Sequence, residues 1–186
     1  MPSLKDLKVR IASVKSTQKI TKAMQLVAAS KLRRAREYAE SADPYAKRMD
    51  RMLTSLAQSV NISTAPKLLA GNGKDKKHLL VVVSADRGLC GGFNAHIAKK
   101  VKQKINDLRA QNKEFKILCI GKKAYEQLKA EYQDNVIEII EGITKQKKIP
   151  FADADRIANK IITMFDKDEF DAVSYTHLRA HETRPY

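Results

Sequence analysis

The stretch SADRGLCGGFN, residues 84–94, follows directly on the apolar run Leu79–Val83 and holds three glycines, a cysteine, an acid and an arginine. Two chemistries suit such a loop. After the first strand of a doubly wound sheet, a glycine-rich turn is where phosphates settle, against the N–H groups that open the next helix. Here Gly88, Gly91 and Gly92 do not make G-x-G-x-x-G, no G-K-[ST] is present, and no acid follows at a position suited to a ribose. A thiol near a helix start is the other possibility, because the setting lowers a cysteine pKa. Cys90 would still need a base, and the nearest, His96, has no orienting acid beside it, so Cys90 reads as a small packed thiol. What remains is a tight turn that glycine permits, presenting Asp86 and Arg87 at its edge. His177 and His181 are four apart, as metal ligands on one helix face would be, but no cysteine or acid cluster accompanies them. No catalytic, cofactor-binding or metal-ligating residue is therefore assigned.

The elements around the loop follow from periodicity. Leu79–Val83 reads as a strand buried on both faces. Residues 94–111 read as a helix with Ile97, Val101, Ile105 and Leu108 inward, and FKILCI as a second strand. A helix over 122–132, a third strand VIEII and a helix over 153–165, with Asp153 as candidate cap, continue the alternation. Strand and helix in strict turn predict a small parallel α/β sheet over 78–173, Rossmann-like in kind, with a further strand starting near Phe170. After Val173 the pattern stops, and residues 174–186 are expected to form a tail without stable structure. They resemble read-through of a cloning junction more than native sequence.

Before residue 61 the chain is different. Positions taken every seventh residue from Leu4 and from Leu7 up to Val60 are apolar in fourteen of seventeen cases. Such a seam means a long helix built for a left-handed coiled coil, about 85 Å long at 1.5 Å per residue. Pro44 lies inside and predicts a bend; a helix-turn-helix broken at Asp43 is the alternative. The exceptions, Gln18, Thr21 and Gln25, are consecutive, and beside them Ile20, Met24 and Val27 form a stripe at i, i+4 and i+7. Either the coil is locally irregular there, or a second partner grips residues 20–27. Lys31, Arg33, Arg34 and Arg36 follow at once. No later segment offers a matching stripe, so the long seam must find its partner outside these residues. Residues 61–77, rich in Ser, Pro, Gly and Lys, read as the linker between the two parts.

The chain's charge fits this division. Its 186 residues carry a formal charge of +15, and residues 1–36 hold ten Lys or Arg against Asp6 alone. A basic arm can meet nucleic acid, an acidic membrane or an acidic protein, and charge does not choose among them. A nucleic-acid binder should interleave aromatics with the basic stretch, yet only Tyr38 and Tyr45 occur, beyond its most basic part. With 43% hydrophobic residues the chain is not disordered, and no apolar run approaches the ~20 residues that span a bilayer. The opening MPSLKDLKVR lacks the apolar core of a secretory signal.

Two stretches, LKVRIASVKSTQKITKAMQLVAASKLRRAR and SADRGLCGGFN, in this order and separated by one linker, resemble the gamma subunit of F-type ATP synthases over about residues 1–173. The resemblance implies a non-catalytic rotor. Two terminal helices would form an antiparallel coil inside the ring of alpha and beta subunits, with the α/β domain beside the epsilon subunit and the membrane c-ring. The protein would lie at the cytoplasmic face of a bacterial inner membrane, held there through the complex, with no cofactor and no nucleic acid. It also implies that Met24 lies where the shaft meets the catalytic subunits, that Lys31, Arg33, Arg34 and Arg36 face their acidic loops, and that Asp86, Arg87 and Cys90 lie at the lower edge of the ring. The family's C-terminal helix is expected beyond this chain.

Overall fold

The computed structural model describes residues 3–59, 61, 65–143, 146 and 149–176, in two compact units, 1–61 and 62–186. The first unit is one helix, α1, Leu4–Ser59. Ser3 and Asp6 start it reciprocally. The Ser3 hydroxyl accepts from the Asp6 N–H at 3.3 Å, while the Asp6 carboxylate accepts from the Ser3 N–H at 3.1 Å and from its hydroxyl at 2.8 Å. This is a capping box with Asp in place of Glu, and those bonds hold the Asp6 carboxyl below its usual range. The helix runs unbroken through Pro44, which sets aside the break at Asp43. None of its residues is buried, the seam residues Leu4, Ile11, Leu32 and Leu53 included. A single helix cannot cover its own stripe, so the 3.5-residue seam stands open within this unit.

In the second unit a short helix α2 (Lys67–Ala70) precedes β1 (Lys77–Val83), α3 (Phe93–Ala110), β2 (Glu114–Ile120), α4 (Lys122–Tyr132), β3 (Val136–Ile140), α5 (Phe151–Asp166) and β4 (Ala172–Thr176). The four strands form one parallel sheet in the order β3-β2-β1-β4. Successive side chains of a strand point to opposite faces, so β1 divides its run. Leu80 and Val82 pack with Ile97, Val101, Ile105 and Leu108 of α3 and Leu128 of α4. Leu79 and Val81 pack with Ile161, Met164 and Phe165 of α5. Helices on both faces account for the continuous apolar run of β1, which has no solvent side on which to alternate.

Several boundaries differ from expectation. Helix α3 begins one residue earlier, at Phe93. Helix α5 begins at Phe151 behind Pro150, so Asp153 is not its cap; its carboxylate instead accepts from the Gln146 amide at 2.9 Å. Strand β4 runs on through Ser174, Tyr175 and Thr176, because its backbone pairs with β1 as far as Val82 whatever the side chains. The expected unstructured tail therefore starts too early, and its remainder, 177–186 with His177 and His181, lies outside the described residues.

Candidate functional site

Two surfaces carry the residues singled out by sequence, one in each unit. On α1, at 100° per residue, Ile20, Met24, Val27, Lys31 and Arg34 fall within about 80° of arc. Ile20, Met24 and Val27 are each more than half exposed, so the helix presents one face that changes along its length from apolar to cationic. Arg33 and Arg36 do not join it. They point roughly the opposite way, and each binds a carboxylate one turn on, Arg33 to Glu37 and Arg36 to Glu40, both at 2.9 Å. The four cations thus make two faces rather than one patch. Exposed i,i+4 pairs of this sort contribute only about 0.3–0.5 kcal/mol, so they exchange readily for another anion. At the polar break in the seam, the Thr21 hydroxyl donates to the Thr17 carbonyl at 2.9 Å and is satisfied within the helix.

In the second unit the glycine loop leaves the C-terminal end of β1, where a doubly wound sheet usually takes its ligand. Beside it, the ends of β2 and β3 are tied to the loop by its own side chains. The buried Ser84 hydroxyl accepts from the Ala124 N–H at 3.1 Å, in the first turn of α4, and donates to the Gly121 carbonyl at 3.2 Å. Asp86 is only 7% exposed. One of its carboxylate oxygens accepts from the Lys122 N–H at 3.3 Å and the other from the Gly142 N–H at 3.1 Å. The Lys122 and Ala124 amides at the start of α4, the helix that follows β2, are thus bonded to an internal carboxylate and an internal hydroxyl, while the loop itself leads into α3. Gly121 permits this approach: its φ is +92°, and a Cβ there would stand 2.2 Å from the Ser84 carbonyl oxygen.

The far end of the loop is held by Asn94, which sequence reasoning missed. Its side-chain oxygen accepts from the Ala85 N–H at 3.1 Å, and its amide donates to the Cys90 sulfur at 3.0 Å. An Asn in the first turn after a glycine pair was the available signal, since Asn readily bonds nearby backbone. Cys90 is exposed and has an amide donor as partner where a nucleophile would need a base. Between the clamps Leu89 stands 96% exposed at φ +62°, with Gly91 at +56°. Arg87 is exposed as expected, whereas Cys90, read as a small packed thiol, is exposed too. Asp86 is corrected: its carboxylate faces the backbone of its own sheet edge and is not presented to a partner. Among the described residues no group of His, Cys, Asp and Glu is arranged to hold a metal, and no helix is long and apolar enough to cross a membrane.

One unit is thus a parallel α/β sheet with helices on both faces, and the other a basic helix whose seam is open along its length. The family model described as ATP synthase matches residues 3–184, and the chain belongs to that family. It is similar to curated ATP synthase gamma chains: 54% identical to that of Sinorhizobium medicae and 55% to that of Beijerinckia indica, each over 92% of this chain. The chain spans 59% and 58% of the length of these two relatives. Among solved structures it is similar to a chain of the Tetrahymena thermophila mitochondrial ATP synthase central stalk and c-ring, with a TM-score of 0.62 and 29% identity over 84% of this chain and 63% of that one. A rotor chain of the Euglena gracilis mitochondrial enzyme, at 17% identity and a TM-score of 0.51, shares the fold. The family match runs past residue 173, where the resemblance was expected to end.

Proposed function

We propose that this chain serves in the central rotor shaft of an F-type ATP synthase and catalyses nothing itself. Proton flow turns the c-ring and the shaft fixed to it. The asymmetric shaft then favours a different conformation in each catalytic subunit in turn, so that torque becomes differential binding of nucleotide and product. The alpha and beta subunits are its partners along α1, and the epsilon subunit and c-ring its partners at the membrane end. The protein is held peripherally at the cytoplasmic face of a bacterial inner membrane through the complex. The observation that carries this reading is the 56-residue helix with no buried residue, which suits a shaft turning in a sleeve, together with the similarity to gamma chains. Its face from Ile20 to Arg34 supports the reading further. An uncharged stripe slides without breaking ion pairs, and exposed cations attract acidic loops through contacts weak enough to be exchanged as the shaft turns.

The test places Met24→Lys in a version extended to the full length of the relatives and assembles it with its partners. A cation at the sliding stripe would form an extra ion pair of about 0.5–2 kcal/mol with an acidic loop and break it at every step. ATP-driven proton pumping per ATP hydrolysed, measured in the same vesicles, should fall while assembly survives. Met24→Leu keeps size and polarity and should change little. A lysine variant that pumps as many protons per ATP as its parent would remove Met24 from the moving interface.

A further inference from the structure

We infer that Asp86 is the positioning residue of the glycine loop: its buried carboxylate bridges the backbone amides of Lys122 and Gly142 and so fixes where Arg87, Leu89 and Cys90 project. The two amides lie 36 and 56 residues further along the chain, just past the ends of β2 and β3. One side chain therefore ties together the C-terminal ends of three adjacent strands. The Ala85 carbonyl adds a bond from the Lys123 N–H at 3.0 Å, and Asn94 holds the other end through Ala85 and Cys90. The conformation of Leu89 is the independent sign that the loop is held. A leucine at φ +62° that is 96% exposed gains nothing from burial. Such a backbone persists where its surroundings over-determine it. The carboxylate has an oxygen for each of the two amides, which an uncharged side chain of the same shape lacks. The consequence for torque transfer rests on the rotor reading; the latch itself does not, and is tested on the chain alone.

Asp86→Asn keeps the shape and leaves one acceptor oxygen for two donors. We expect amide hydrogen exchange to accelerate at least tenfold at one of Lys122 and Gly142, and Asp86→Ala to accelerate it at both. Alkylation of Cys90 should quicken in step. Cys119, fully buried in β2, reports opening of the sheet itself, and should stay unreactive. A role in packing alone would leave the isosteric Asn variant like the parent. Unchanged protection of both amides in Asp86→Asn overturns the inference, as does Cys119 reacting in step with Cys90. Should Asp86→Ala fail to fold, the Asn variant decides. A loop shown to be latched in this way, with coupling unaffected in the assembled complex, would leave the latch standing and count against the rotor reading of the loop.

Discussion

At the scale of single residues, the motif's glycines do not share one role. Gly121, outside the motif, is the position where the fold leaves no alternative, since an added Cβ would meet the Ser84 carbonyl oxygen at 2.2 Å and φ is +92°. Gly88 has nothing within 4 Å of an added Cβ and no left-handed backbone. Gly121→Ala should therefore lower stability by about 3 kcal/mol, through strain and displacement of the β1 end. Gly88→Ala should stay within about 0.5 kcal/mol. Urea denaturation followed by near-ultraviolet dichroism of the tyrosines, Tyr132 among them buried, would read both. Equal losses in the two variants would contradict this account. Asp86 teaches the same lesson from the polar side. By type and neighbourhood it looks like a presented charge, and only its partners show that it is an internal clamp.

At the scale of elements, α1 is a helix whose stability must come from within itself until something covers its seam. Pro44 removes one backbone hydrogen bond and crowds the preceding turn, at a cost near 3 kcal/mol relative to alanine in a helix interior. The Asp43–Lys47 pair at 2.5 Å, one turn across, offsets only a small part of that. Pro44→Ala should raise helical ellipticity at 222 nm and slow amide exchange through residues 40–48, with the melting of the sheet unit unchanged. An unaltered spectrum would mean that the proline does not limit this helix. The Arg33–Glu37 and Arg36–Glu40 pairs belong to the same scale. The 3.6-residue period by itself turns these two arginines away from Lys31 and Arg34, so one surface of four cations is incompatible with a helix at this spacing.

At the scale of the whole molecule, the sheet unit's core sets a pH limit. Cys119 is completely shut inside the sheet, and loss of hydration pushes its thiol up from an ordinary value of 9.0 to about 11. In the unfolded chain the thiol ionises near 9, while in the folded unit it keeps its proton to about 11. Over that window the unfolded state holds fewer protons, so stability falls as pH rises. The contribution is fully present below pH 9 and gone above 11, and two pKa units correspond to about 2.7 kcal/mol. Cys119→Ala is already destabilised at pH 8 by its cavity. The difference in unfolding free energy between parent and variant should then shrink by about 2–3 kcal/mol between pH 8 and pH 11. A constant difference across that range would show that the thiol does not ionise on unfolding.

Periodicity along the chain settled the long open helix, the strict alternation of strand and helix, and the inward residues Ile97, Val101, Ile105 and Leu108. These are local matters: a repeat of 3.5, 3.6 or 2 residues fixes which side chains share a face. That the loop carries no phosphate motif was legible too; the filling of the α4 N-terminus by Ser84 and Asp86 was not. That filling depends on the strand order β3-β2-β1-β4, which sets the ends of β1, β2 and β3 side by side and lets one carboxylate reach amides 36 and 56 residues away. The extent of β4 was hidden for the same reason, since Ser174–Thr176 are held by backbone pairing with β1 and show no hydrophobic pattern. A sequence states what each element will bury. Which backbone amides end up beside which carboxylate is decided only when the sheet assembles, because hydrogen bonds act over a few ångströms of space and are indifferent to distance along the chain.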